Sequence, residues 1–175
     1  GTRGPHGNKS TKVNKNNVSK DVHNVDIQTL TCFYTNSDQL RTKMEELKTR
    51  VVNAKPSIIG ITEIKPKKAN FDLNTSEIKI DNYNIFTNNM TTGEGRGCCL
   101  YISSQIKVQQ VYTHCNLFQG SVWVEIALKN NDKILVGCVY RSNSCSQEQN
   151  ESLNQVFRNI SKDKKYSHVL IMGDF

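Results

Sequence analysis

Four positions in this 175-residue chain set polar, chemistry-bearing side chains directly behind apolar runs. Asn36-Ser37-Asp38 follows a β-prone stretch, Glu63 follows SIIGIT, Tyr140-Arg141-Ser142-Asn143 follows KILVGCV, and Gly173-Asp174 follows HVLIM. Carboxylates, amides and a phenol delivered from separate strand ends suit a hard divalent cation. Magnesium takes oxygen ligands, keeps several of its waters and needs only one or two carboxylates from a protein. Such an ion polarises a phosphoryl oxygen and neutralises a leaving alkoxide, while Asn and Tyr hydrogen-bond the developing charge. Each position also has an ordinary use. Asn36 fits a helix cap, Asp38 suits a helix's first turn through the dipole, Tyr140 fits strand packing and Asp174 fits a turn. Glu63 is harder to explain that way, because a carboxylate ending a buried strand is costly unless paired, solvated or metal-bound.

The elements that must carry these residues follow from periodicity. Asp26–Tyr34 alternates as a strand. A helix is expected from Asn36 or Ser37, with Leu40, Met44, Leu47 and Val51 on one face and Pro56 ending it. Ser57–Thr62 reads as a buried strand, so the chain opens as β-α-β. Residues 64–82 are polar and irregular. Tyr83–Thr87, Cys98–Ser103, Ser121–Lys129 and Lys133–Arg141 read as strands. A glycine-rich turn, Thr92–Gly97, precedes the second, and Asn130-Asn131-Asp132 joins the last two. Ser146 with Gln149 forms a capping box for a second helix whose face is Leu153, Val156, Phe157 and Ile160. His168–Met172 is expected to be a final buried strand. This order predicts a layered α/β fold of two packed sheets flanked by helices, with its chemistry at the C-terminal strand ends.

Composition narrows the field. The formal net charge is +7, and 36% of residues are hydrophobic. Residues 1–25 hold Arg3, Lys9, Lys12, Lys15 and Lys20 against Asp21 alone, which is +4 of the total. Five Asn and almost no large apolar side chain make this stretch a disordered basic tail, fit either as a phosphate-contacting arm or as a solvated linker. No apolar run approaches the ~20 residues of a membrane span. Nor does the N-terminal region have the apolar core of a secretory signal, so an intracellular protein is expected. Six cysteines lack CxxC or paired-His spacing, which argues for free thiols acting as small buried hydrophobes in a reducing compartment. Cys98 and Cys99 are adjacent in a strand and therefore cannot face the same core.

The segments YTNSDQL (34–40), PSIIGITEIK (56–65), GRGCCLYIS (95–103), VWVEI (122–126), VGCVYRSNS (136–144) and HVLIMGDF (168–175) carry a resemblance. In that order they resemble the endonuclease/exonuclease/phosphatase superfamily. They are most similar to the apurinic-endonuclease-like domain that opens non-LTR retrotransposon polyproteins. The resemblance covers residues 26–175 and implies an α/β (α+β) four-layer sandwich, two mixed sheets flanked by helices. It implies Glu63 as the principal Mg²⁺ ligand (Mn²⁺ as a substitute), joined by Asp38. Asn36 would support the phosphate and Tyr140 would contact it, with Asn143 as a further polar contact. Asp174 would orient the attacking water.

The same resemblance defines departures. The family motif continues G-D-F-N, and a later Ser-Asp-His block supplies a central histidine. This sequence stops at Phe175, so it reads as an N-terminal part of the domain, with the C-terminal part missing, and as inactive by itself. His168, opening a strand, reads as structural, and His114 lies in a loop. The resemblance further implies DNA as partner, with Lys65, Lys67, Lys68 and Arg96 flanking its backbone; a solvated basic loop is the equal alternative. It also implies a downstream reverse transcriptase, and the nucleus as the place of action. Two alternatives stay open, a degenerate non-catalytic nucleic-acid-binding remnant and a phosphatase of the same superfamily.

Overall fold

The computed structural model describes residues 29–69, 71, 73–88 and 95–175. The expected basic tail 1–25, residues 26–28 of the expected opening strand and Thr92–Glu94 of the expected glycine-rich turn lie outside them, and the first strand begins at Cys32 rather than Asp26. The strands are β1 (Cys32–Asn36), β2 (Ile58–Thr62), β3 (Tyr83–Thr87), β4 (Cys98–Ser103), β5 (Val108–Gln110), β6 (Ser121–Ala127), β7 (Lys133–Tyr140) and β8 (His168–Asp174). The helices are α1 (Met44–Ala54) and α2 (Gln147–Lys162). One sheet has the order β1-β2-β4-β3 and the other β5-β6-β7-β8. In each, one helix-connected pair is parallel, β1 with β2 and β7 with β8, and the remaining pairs are antiparallel.

Three apolar clusters stack these elements into four layers. Leu40, Met44, Leu47 and Val51 press α1 and the turn before it onto Ile59, Ile61, Cys99 and Tyr101 of the first sheet. Ile58, Cys98, Leu100 and Ile102 meet Val122, Val124, Ile126, Val136 and Cys138 between the sheets. Leu153, Val156 and Ile160 of α2 cover Trp123, Leu135 and Val139. The adjacent thiols Cys98 and Cys99 thus do enter different cores. The expected α/β sandwich of two mixed sheets is present, and the Ser146–Gln149 capping box forms. Asn130 and Asn131 make the β6–β7 connection with left-handed backbone, φ 58° and 63°.

Several details differ from expectation, among them a short strand β5 that was not expected and a β6 that ends at Ala127 rather than Lys129. The first helix does not start at Asn36 or Ser37. The Gln39 and Leu40 amides instead bond the Glu63 and Ile64 carbonyls at 2.8 and 3.1 Å, so the chain stays tied to the end of β2. A 3₁₀ turn over Leu40–Lys43 then leads into α1. Lys55, left-handed at φ 45°, ends α1 before Pro56. Strand β8 is not buried: among the described residues it pairs with β7 alone, and Val169 is 43% exposed. Cys32 is exposed rather than buried, because β1 is an edge strand, while all six thiols are free. His168 is exposed, its Nδ1 2.9 Å from the Ser167 hydroxyl. Among the described residues, no helix is long and apolar enough to cross a membrane.

Two consequences are measurable. Leu47→Ala should cost about 2–5 kcal/mol of unfolding free energy, because it empties part of the helix–sheet core; urea denaturation followed by Trp123 fluorescence reads it. Burial would push the Glu125 carboxyl up, but the ammonium groups of Lys133 and Lys165, each 2.5 Å away, outweigh it and hold the pKa below the ordinary range. Its stabilisation is therefore full above the unfolded pKa and is lost as pH falls through the lower folded value. Glu125→Gln should flatten the loss of thermal stability on the acid side while leaving the neutral-to-alkaline profile unchanged in shape.

Candidate active site

Parallel pairing sends the C-terminal ends of β1 and β2 to one edge of the first sheet, and antiparallel β4 returns its N-terminal end to the same place. The parallel pair β7–β8 does the same in the second sheet, setting Tyr140 opposite Asp174. The sheets are back to back, so their polar ends meet. Tyr140 Oη donates to Glu63 Oε1 at 3.3 Å. Asn36 Nδ2 donates to Asp174 Oδ2 at 3.3 Å. Both contacts cross from one sheet to the other.

Local backbone geometry aims these groups. Asn36 is not a helix cap: its Oδ1 accepts the Asp38 amide at 3.0 Å, which closes a tight turn at the end of β1. Asp38 sits at φ 41° and Glu63 at φ 57°, left-handed conformations that non-glycine residues rarely adopt. Ser37 supports both. Its buried hydroxyl donates to the Thr62 and Glu63 carbonyls, each at 3.1 Å, and its amide bonds the Thr62 carbonyl at 3.0 Å. Sequence reading passed over Ser37, although its place between Asn36 and Asp38 was the available signal. Asp174 is held by its carbonyl, which accepts the Arg141 amide at 2.8 Å.

Arg96 is the centre of the site's charge. One terminal nitrogen of its guanidinium bonds Glu63 Oε2 and the other bonds Asp38 Oδ1. Its Nε donates to the Lys65 carbonyl at 3.0 Å. The arginine side chain is 10% exposed, Glu63 17% and Asp38 78%. The guanidinium holds the Asp38 carboxyl below its ordinary range, first through the hydrogen bond and then through its charge. Burial pushes the Tyr140 hydroxyl up, and the Glu63 charge adds to it, so the phenol stays protonated at neutral pH.

The other expected contacts divide. Lys67 and Lys68 are exposed in the loop after β2, and Asn143 is exposed in a turn beyond Tyr140. Lys65 is buried at 2% exposure, so it is not part of a solvated basic loop. Arg96 likewise points inward to the carboxylates. For a divalent cation, Glu63 and Asp38 offer hard oxygen donors on the two terminal nitrogens of one guanidinium, a donor chemistry that suits magnesium. Among the described residues there is no group of three or more His, Cys, Asp and Glu able to hold a metal.

No protein-family model and no curated protein matches the sequence. Solved structures do match in shape. The endonuclease domain of TRAS1, a telomere-specific non-LTR retrotransposon, aligns with 83% of this chain and 58% of its own length, at TM-score 0.54 and 14% identity. The AP endonuclease LMAP from Leishmania major aligns with 83% and 54%, at TM-score 0.62 and 14% identity. The chain has the endonuclease/exonuclease/phosphatase fold. A mannosyl-6-phosphatase from Bacteroides thetaiotaomicron shares it, at TM-score 0.53 and 11% identity over 83% of this chain and 65% of that one. The chain thus spans less than two thirds of the length of each of these three proteins.

Gly97, at φ 67°, makes the backbone turn from which Arg96 reaches inward to Glu63 and Asp38. Gly97→Ala should destabilise the chain by about 1–2 kcal/mol through left-handed strain, measured by urea denaturation.

Proposed function

We propose that this protein is a divalent-cation-dependent DNA endonuclease domain that nicks the phosphodiester backbone, acting as part of a retrotransposon-type polyprotein. The observation that carries this reading is the meeting of Asn36, Glu63, Tyr140 and Asp174 at one edge of the two sheets. Four different strands contribute, in a fold shared with a retrotransposon endonuclease domain and an AP endonuclease.

The roles follow from the chemistry of each side chain. Glu63, with Asp38, would hold the cation (Mg²⁺, or Mn²⁺ in its place). That ion, when bound, supplies Lewis-acid polarisation of the phosphoryl oxygen and neutralises the leaving alkoxide. Asp174 accepts a hydrogen bond from the attacking water and orients it. Its own direction is fixed by the Asn36 amide. The protonated Tyr140 hydroxyl donates to a phosphoryl oxygen as charge develops there. Asn36 and Asn143 add polar contacts to the phosphate. One phosphorus–oxygen bond forms to water and the bond to one sugar oxygen breaks, which leaves a nick. Exposed Lys67 and Lys68 supply non-specific phosphate contacts beside the site. On this reading the partner within the polyprotein is a reverse transcriptase, and the place of action is the nucleus.

The family pattern that the sequence resembles continues with an Asn directly after Gly-Asp-Phe and a later Ser-Asp-His block. The assay is therefore made on a chain that continues through those motifs. A second reading, phosphomonoester hydrolysis, is favoured by the fold shared with a mannosyl-6-phosphatase. One assay separates them. Supercoiled plasmid and p-nitrophenyl phosphate are offered to the continued chain with Mg²⁺ or with EDTA. Mg²⁺-dependent nicking that falls at least about 100-fold in Glu63→Gln is the expected result. Undiminished nicking by Glu63→Gln sinks the site assignment, and hydrolysis of the monoester alone favours the phosphatase.

A further inference from the structure

The arrangement around Arg96 is more than an ion pair at a loop. Both terminal nitrogens are used, one on each carboxylate, and Nε is anchored on the Lys65 carbonyl. The second Glu63 oxygen is taken by the Tyr140 hydroxyl. The arginine is carried there by a short extension of the β2–β4 pairing. The Lys65 amide bonds the Arg96 carbonyl at 2.8 Å, and the Ile64 amide bonds the Gly97 carbonyl at 3.4 Å. The guanidinium is thus held, by backbone, in the mouth formed by the two carboxylates that are the site's donors for a hard cation.

We propose that Arg96 is an internal counterion occupying the cation position, and that a divalent cation enters by displacing its guanidinium from Glu63 and Asp38. This rests on the cation reading of Glu63 and Asp38 given above. The physical case has three parts. Two neighbouring carboxylates without a cation repel one another, and the guanidinium removes that repulsion while the site is empty of metal. A divalent ion cannot share the same oxygens with a guanidinium without facing its positive charge at contact distance, so the two compete. The two ends of the bridge also differ in strength. Asp38 is largely exposed, and an exposed ion pair holds weakly, whereas Glu63 is mostly shielded. The Asp38 end therefore yields first, and the released fork, flat and always charged, is suited to a phosphate oxygen pair at the same edge.

A merely structural arginine makes the opposite prediction, because removing it would loosen the two loops and weaken any cation site they form. The test is Mn²⁺ binding to the 175-residue chain, read by water-proton relaxation and by calorimetry, with no substrate present. Arg96→Gln keeps a donor for the Lys65 carbonyl but removes the charge. It should bind Mn²⁺ about tenfold more tightly than the natural chain, and Glu63→Gln should abolish binding in both backgrounds. Nitrogen-detected NMR of the arginine side chains gives a second readout on the unmutated protein. The Arg96 Nη signals, restricted by the double ion pair, should regain free rotation on addition of Mg²⁺. Equal or weaker Mn²⁺ binding by Arg96→Gln, with binding still abolished by Glu63→Gln, or Nη signals that stay restricted at saturating Mg²⁺, overturns the counterion role alone. Absence of Mn²⁺ binding in both the natural chain and Arg96→Gln overturns that role together with the cation reading of Glu63.

Discussion

Everything at the candidate site depends on the dry contact between the two sheets. Ile58, Cys98 and Leu100 on one side and Val122, Val136 and Cys138 on the other exclude water. They fix how far one sheet can slide over its partner. Only with that offset settled do Tyr140 and Glu63, or Asn36 and Asp174, come within hydrogen-bond reach across the gap. The two polar contacts add less holding power than this burial does, since a net hydrogen bond to a charged group is worth about 1.5–3 kcal/mol. Apolar packing places them, and they sharpen an alignment that burial has already chosen.

The backbone then converts that alignment into aim. Asp38, Gln39, Glu63 and Gly97 all take left-handed φ values near the ends of β1, β2 and β4. Three of them are not glycine, and such conformations persist only where surrounding bonds over-determine them. Here the bonds are identifiable: Ser37 to the Thr62 and Glu63 carbonyls, and the Gln39 and Leu40 amides to the carbonyls beyond β2. Two loops that would otherwise leave their strands independently are stitched into one platform.

Much of this was legible in the order of residues. β3 and β4 occur at the bounds their strand-like runs indicate, and the apolar faces of both helices are the ones their spacing marks. The polar strand ends were recognisable because hydrophobic runs stop abruptly at Asn, Glu, Tyr and Asp. What was not legible came from long-range pairing. Asn36 has the composition of a cap, but its turn and its bond to Asp174, 138 residues away, decide its use. Lys65 has the composition of a solvated cation, yet the extension of the β2–β4 pairing draws it inside. β8 has the apolar run of a central strand but lies at a sheet edge, and nothing in its own composition distinguishes the two. Arg96 was read as a phosphate contact from its charge; its two carboxylate partners lie 33 and 58 residues earlier.

Strand β4 carries apolar side chains on both faces, with Cys98 in one core and Cys99 in another. Such a strand has no polar face to penalise a one-residue slip, since either face would still be buried. Its registration must come from shape and from side-chain bonds, among them the Tyr101 hydroxyl on the Ile78 carbonyl at 2.7 Å and the Cys98 thiol on the Cys138 carbonyl at 3.2 Å. An error there would go nearly unnoticed by the hydrophobic effect while rotating the GRG turn away from both carboxylates. Registration of β4 in this molecule thus rests on side-chain shape and on the bonds of Tyr101 and Cys98 rather than on a polar face.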